Sequence, residues 1–261
     1  MPELPEVECI RRTLAPRVAG RRIRSVQILS PLCAGGRAQE LASAVAGRRI
    51  VRLARHGKHL LFELDTGVMD IHPRMTGRLL AEGTVSRHTR AVFNLDGGDL
   101  LFDDVRQFGR IRYLENAEDL GLGPDALGLP LERFVEMAAA RRGRIKPLLL
   151  NQEAIAGIGN IYADEALHRA RIHPAAGAAR LSRARLARLH EAIQSTLHEA
   201  IEAGGSSISD YVDAEGRQGR YQAQHRVYGR AGEACRECAA RIRRMVLNQR
   251  ATHFCPRCQR Y

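Results

Sequence analysis

Residues 49–72 read RIVRLARHGKHLLFELDTGVMDIH. Three short runs rich in Val, Ile, Leu and Phe are broken at His56-Gly57 and at Asp65-Thr66-Gly67. Runs of this length, bounded by Gly and Asp, read as β-strands joined by tight turns. The neighbours agree. RIRSVQIL at 22–29 carries Ile23, Val26 and Ile28 at strand spacing. TRAVFNLDGGDLLFDD at 89–104 predicts a hairpin around Asp96-Gly97-Gly98. Residues 22–113 are therefore read as strands, closely spaced and antiparallel, as in a sandwich or barrel.

The chain opens MPELPEVECIRR. Pro5 suits the first turn of a helix, where its missing N–H would have had no partner. Glu6 and Glu8 follow where the helix dipole favours negative charge. Val7, Ile10 and Leu14 make an apolar face. None of this accounts for Pro2 and Glu3, which precede the helix.

Residues 115–130, ENAEDLGLGPDALGLP, form a linker by their Gly and Pro content. Helical patterns then take over: LERFVEMAAARR, IKPLLLNQEA with Pro147 in its first turn, and NIYADEALHRA with Asn160 as N-cap. SRARLARLHEAIQSTLHEAIEAGG is the longest, with Leu186, Leu189, Ile193, Leu197 and Ile201 on one face. Gly204-Gly205 stops it. A polar stretch, residues 206–226, precedes the cysteines. The class is α+β: an N-terminal antiparallel β-sandwich preceded by a helix, then a helical part with a β-hairpin at its end.

Of 261 residues, 41 are Lys or Arg and 29 Asp or Glu, a net charge of +12. Such a basic chain is expected to meet a polyanion. Only Lys58 and Lys146 are lysines. A lysine kept in so Arg-rich a chain suggests a need for a compact ammonium. No apolar run is long enough to span a membrane. There is no cationic segment with an apolar core at the N-terminus, so a cytoplasmic location is expected. Nothing calls for twofold symmetry, so a monomer is expected.

Cys235-x2-Cys238 and Cys255-x2-Cys258, sixteen residues apart, carry a zinc signature. Four thiolates complete a tetrahedron, so one structural zinc is expected, with no open position for water. The intervening AARIRRMVLNQRATHF suits a β-hairpin with Arg241, Arg243, Arg244 and Arg250 available to a duplex. The alternative is a clip that only stabilises a short tail. Cys9 and Cys33 read as ordinary thiols.

These parts together resemble the formamidopyrimidine-DNA glycosylase family across the whole chain. The resemblance rests on PELPEVE, Lys58 in its turn, HPRMTG, RQFG, GIGNIYADEAL, EAGGSSISDY and QRATHFCPRCQ. It implies three parts: a catalytic β-domain at 1–130, a helix–two-turns–helix DNA-binding part at 131–224, and a zinc finger at 225–261. It implies that Met1 is removed, leaving Pro2 as an N-terminal secondary amine that attacks the sugar. Glu3 becomes the general acid, with Glu6 in support. Lys58 joins Pro2 and Glu3 in the catalytic group, contacting the phosphates and sugar that flank the lesion, and His72, Asn160 and Arg250 become contacts to the DNA backbone. Lys146 becomes a phosphate contact or a surface residue at a helix start.

A base inside the stack must be flipped out to be excised, and something must fill its place. Taken alone, Met75 and Phe108 would pass for core. The resemblance makes Met75, Arg106 and Phe108 the void-filling residues, and residues 204–212 a lesion-capping loop. Two departures stand out: Pro73-Arg74 where the family has Leu-Gly, and Gln107 where it has Arg. The implied partner is double-stranded DNA with oxidised purines or abasic sites. Alternatives are an endonuclease VIII-like enzyme for oxidised pyrimidines and a catalytically silent damage binder. The retained Pro2, Glu3 and Lys58 argue against silence.

Overall fold

A computed structural model describes residues 1–208 and 211–261. The chain forms two compact units. One comprises residues 1–121 and 203–220, the other residues 122–202 and 221–261.

In the first unit, helix α1 (Leu4–Val18) is followed by β1 (Ile23–Ile28), α2 (Ala38–Val45), β2 (Ile50–His56), β3 (His59–Leu64), β4 (Val68–His72), β5 (Gly77–Leu80), β6 (Thr89–Leu95), β7 (Gly98–Asp104) and β8 (Arg110–Leu114). The strands make two antiparallel four-stranded sheets, ordered β1-β6-β7-β5 and β2-β3-β4-β8. These are the two sheets of the expected sandwich. Phe62 and Ile71 from one sheet, and Phe93 and Phe102 from the other, are wholly buried. The turn between β6 and β7 falls at Asp96-Gly97, since Leu95 pairs with Gly98.

Leu4, Val7, Ile10 and Leu14 bury the inner face of α1, which packs on β2 and β3. One expectation fails here, because residues 22–113 are not all strand. AQELASAV forms α2, with Leu41 and Val45 buried one turn apart. Two apolar residues at helical spacing in an Ala-rich run were the available signal.

In the second unit, α3 (Leu131–Ala139), α4 (Ile145–Leu150), α5 (Asn160–Arg169) and α6 (Arg183–Glu202) precede a hairpin of β9 (Arg243–Leu247) and β10 (Arg250–Phe254). Leu186, Leu189, Ile193, Leu197 and Ile201 are all buried along α6. The hairpin turns at Asn248 and Gln249, with φ of +45° and +61°. Helix α4 is shorter than its pattern suggested and ends at Leu150. The N-cap of α5 is Gly159, so Asn160 is its first helical residue rather than its cap.

Lys146 is neither a phosphate contact nor a surface residue, because it is fully buried. Its Nζ lies 2.6 Å from Asp164 Oδ1. It also donates to Thr252 Oγ1 at 2.8 Å and to the Ala251 carbonyl at 3.2 Å. An ammonium has three donors on one small atom, and three acceptors converge on it. A planar guanidinium does not match that arrangement. This explains why a lysine persists here.

Removing one partner of a buried pair leaves the other charge uncompensated. Lys146→Met is expected to cost about 3–5 kcal/mol, seen as a lowered urea midpoint. Lys146→Arg should also destabilise, despite keeping the charge.

Candidate catalytic and nucleic-acid-binding site

Pro2 and Glu3 are buried at the start of α1. Their position is set by Glu6, itself only 1% exposed. Glu6 Oε2 accepts the Glu3 backbone N–H at 2.7 Å. Glu6 Oε1 accepts the Ser206 backbone N–H, also at 2.7 Å. The Tyr211 hydroxyl donates to the Glu6 carbonyl at 3.3 Å. One carboxylate thus joins the N-terminus to the stretch after α6. Gly205 is required at that junction: its φ is +85°, and a Cβ there would sit 2.9 Å from the Glu6 side chain. Sequence reasoning gave Glu6 a supporting role without this geometry.

Ser207 ties the stretch after α6 to itself. Ser207 Oγ donates to the Tyr211 carbonyl at 2.8 Å and accepts from the Gly219 amide at 2.9 Å. Ser209 and Asp210, in the same expected loop, lie outside the described residues.

Lys58 follows Gly57 in the two-residue turn between β2 and β3, where His56 pairs with His59. It is buried, at 5% exposure. Pro2, Glu3 and Lys58 belong to one unit, in which α1 packs on the two strands that carry the Lys58 turn.

His72 ends β4 and is buried. Its Nδ1 accepts the Arg74 backbone N–H at 3.0 Å, which leaves the ring proton on Nε2. Burial holds its pKa far below normal, at about 2, and the nearby His59, Arg74 and Lys58 push the same way. His72 is therefore a neutral donor and not a cation.

His59 stands edge-on to His72 with ring centroids 4.3 Å apart. Asp70, fully buried in mid-strand, holds His59 Nδ1 at 2.8 Å and Arg112 Nη2 at 2.8 Å. Sequence reasoning missed this support. An acid inside the apolar run VMDIH was the signal, since a buried carboxylate needs partners.

Met75 is 37% exposed and Phe108 48%, so neither belongs to the core. The Arg106 guanidinium lies over the Phe108 ring, 4.8 Å from its centroid. Both loops are tied to Asp104, at the end of β7 and 1% exposed. Asp104 Oδ1 accepts from the Thr76 hydroxyl, and from the Arg106 amide at 3.2 Å. Asp104 Oδ2 accepts from the Gly109 amide at 2.7 Å. Asp104 is thus the second group that sequence reasoning missed. The two departures share a backbone feature: Arg74 has φ +56° and Gln107 has φ +58°, where a side chain is disfavoured. Gln107 is held there by the Ser30 hydroxyl, which donates to its Oε1 at 2.8 Å.

In the second unit, Asn160 Nδ2 donates to the Ala251 carbonyl at 2.9 Å. Arg250 is exposed at the hairpin tip, next to that residue. Lys146 holds the same carbonyl, so α4, α5 and β10 meet beside Arg250.

The Sγ atoms of Cys235, Cys238, Cys255 and Cys258 lie within 4.8 Å of one another. Cys238 and Cys255 are 3.4 Å apart, Cys235 and Cys258 3.9 Å. Zinc bonds of about 2.3 Å in a tetrahedron require sulfurs about 3.8 Å apart. The set fits one structural zinc. Among the described residues, no helix is long and apolar enough to cross a membrane.

Family models match in chain order. The formamidopyrimidine-DNA glycosylase N-terminal domain matches residues 1–111, its H2TH domain residues 120–212, and the zinc finger found in FPG and IleRS residues 232–260. The formamidopyrimidine-DNA glycosylase of Solibacter usitatus is 50% identical, covering all of both chains. That of Heliobacterium modesticaldum is 46% identical, with the same coverage. Among solved structures, the MutM (Fpg) protein of Thermus thermophilus superposes with a TM-score of 0.89 at 41% identity, over 99% of this chain and 98% of that one. The Lactococcus lactis Fpg bound to abasic-site DNA gives 0.90 at 35% identity, over all of both chains.

The state of His72 is testable. Folding keeps its proton off, so its contribution to stability is whole above about pH 6.5, the unfolded value, and fades as pH falls toward 2. Imidazole NMR shifts of His72 should stay at neutral values from about pH 8 to 5. A midpoint near the free-histidine value would contradict the assignment.

Proposed function

The chain belongs to the formamidopyrimidine-DNA glycosylase family, and from that premise we propose that it is a base-excision-repair glycosylase and abasic-site lyase acting on oxidised purines in duplex DNA. The observation that carries this is the Pro2–Glu3 start, held by the Glu6 carboxylate, in a chain that matches such relatives end to end. The Lactococcus lactis relative has been solved with abasic-site DNA and, as a mutant, with Fapy-dG DNA.

With Met1 removed, Pro2 presents a secondary amine. N-terminal amines titrate near pH 8, so a useful fraction is a nucleophile at neutral pH. Attack on the sugar C1′ forms the N–C bond and expels the damaged base. Glu3 protonates the ring oxygen and opens the sugar. A secondary amine bonded in this way yields an iminium ion that stays cationic and draws electrons. The C2′ proton is then lost and the 3′ phosphate leaves. Loss of a second proton expels the 5′ phosphate. Splitting the reaction into these steps is covalent catalysis.

Lys58, His72, Asn160 and Arg250 would position the backbone. Such contacts set register and carry no sequence information. Met75, Arg106 and Phe108 would fill the space left by the flipped nucleotide. Residues 1–130, 131–224 and 225–261 serve as catalytic, helical DNA-binding and zinc-finger parts. The zinc stabilises the hairpin, and no chemical step passes through it. Such an enzyme works in the cytoplasm, on the nucleoid.

Incubation with an 8-oxoguanine:C duplex and borohydride should trap a covalent complex. Peptide mapping should place the sugar on Pro2, and an uncleaved N-terminal extension should abolish trapping. An adduct on Lys58 would overturn the nucleophile, and faster excision of thymine glycol the lesion class. Cys255→Ser should lose zinc and weaken duplex binding about tenfold or more, as charged contacts at the hairpin are lost. Its N-terminal amine should remain reactive toward an abasic sugar.

A further inference from the structure

Asn160, Asp164 and His168 recur at four-residue intervals along α5, so they share one face. Each meets the zinc hairpin or its cluster. Asn160 Nδ2 reaches the Ala251 carbonyl at 2.9 Å. Asp164 Oδ2 accepts the His253 amide at 2.8 Å. His168 Nε2 lies 3.6 Å from Cys235 Sγ.

His168 is 1% exposed. Its Nδ1 is buried and has no hydrogen-bond partner among the described residues. A buried imidazole normally satisfies its N–H. With nothing at Nδ1, the proton belongs on Nε2, where a thiolate can accept it. Cys235 is a thiolate whenever zinc is bound.

His168 is not itself a ligand. Four cysteines already complete the tetrahedron. His168 also clusters with Glu237 and Cys258, but Glu237 is committed to Arg226 at 2.8 Å and is exposed.

We propose that His168 donates its Nε2–H to the Cys235 thiolate and thereby seats the zinc cluster on α5. The bond draws charge from the sulfur and lowers its nucleophilicity, which slows attack on the zinc–sulfur bond. It also closes the far end of a seam whose near end is Asn160. His168 is a positioning residue. The inference rests on the zinc assignment and not on the chemistry proposed for Pro2, so each can fail alone.

The test uses the full-length, zinc-loaded protein. Zinc release to a chromophoric chelator is timed after addition of N-ethylmaleimide. His168→Phe should release zinc about tenfold faster, the usual order for loss of a supporting contact to a metal ligand. His168→Gln, which keeps an N–H donor, should restore most of the wild-type rate. In cadmium-113-substituted protein the metal resonance should move in His168→Phe and return toward its position in His168→Gln. In the unmutated protein, nitrogen-15 histidine spectra should place the His168 proton on Nε2. That last measurement stands even if His168→Phe does not fold. A proton on Nδ1, or equal release rates in all three proteins, would overturn the proposal.

Discussion

The Glu6 carboxylate is the constraint on which the first unit's chemistry depends. Its two oxygens accept the backbone amides of residues 3 and 206, the second 200 positions from Glu6 in the chain. Each bond joins an amide to an ion, the stronger kind of hydrogen bond, and both are buried. A carboxylate in such a place is stable only when its lone pairs are used. Satisfying Glu6 therefore fixes the backbone next to Pro2 and the start of the stretch expected to close over a lesion. Pro2 is thereby placed by the hydrogen bonds of its neighbours.

The second unit uses the same economy of buried charge. Lys146 and Asp164 are an ion pair with no exposure, and together they engage Ala251, Thr252 and His253 on one strand. Such a pair is weak evidence for net stability, because desolvation opposes it. Its strength is in specifying one arrangement. A shift of β10 would strand two charges, so the strand that begins with Arg250 has one register against α5. The zinc cluster fixes the other end of that strand through Cys255.

The loops around Arg74 and Gln107 show how local strain is held. Arg74 and Gln107 both take left-handed backbone conformations. Each lies beside an exposed apolar residue, Met75 or Phe108. The cost is offset locally: the Arg74 amide bonds His72, and the Gln107 side chain bonds Ser30. Asp104 then ties the two loops together through Thr76, Arg106 and Gly109. The exposed Met75 and Phe108 thus stand on a rigid base.

Much was legible before any coordinates. Turn residues punctuate the strands, apolar spacing marks α1 and α6, and the cysteine spacing gives the metal. These are local signals, set by backbone geometry and ligand spacing over a few residues. The short α2 was missed because two apolar residues over eight weigh little against a long β-like context. Asp70, Asp104 and the burial of Lys146 were missed for a different reason. The sequence by itself determined most of the helices and strands, the metal ligands, and which side chains are candidates for chemistry. Only the tertiary structure decided which charges are buried together. A charge's partner is chosen by the removal of water, and the partners of Asp70, Asp104 and Lys146 include residues 42, 28 and 106 positions away.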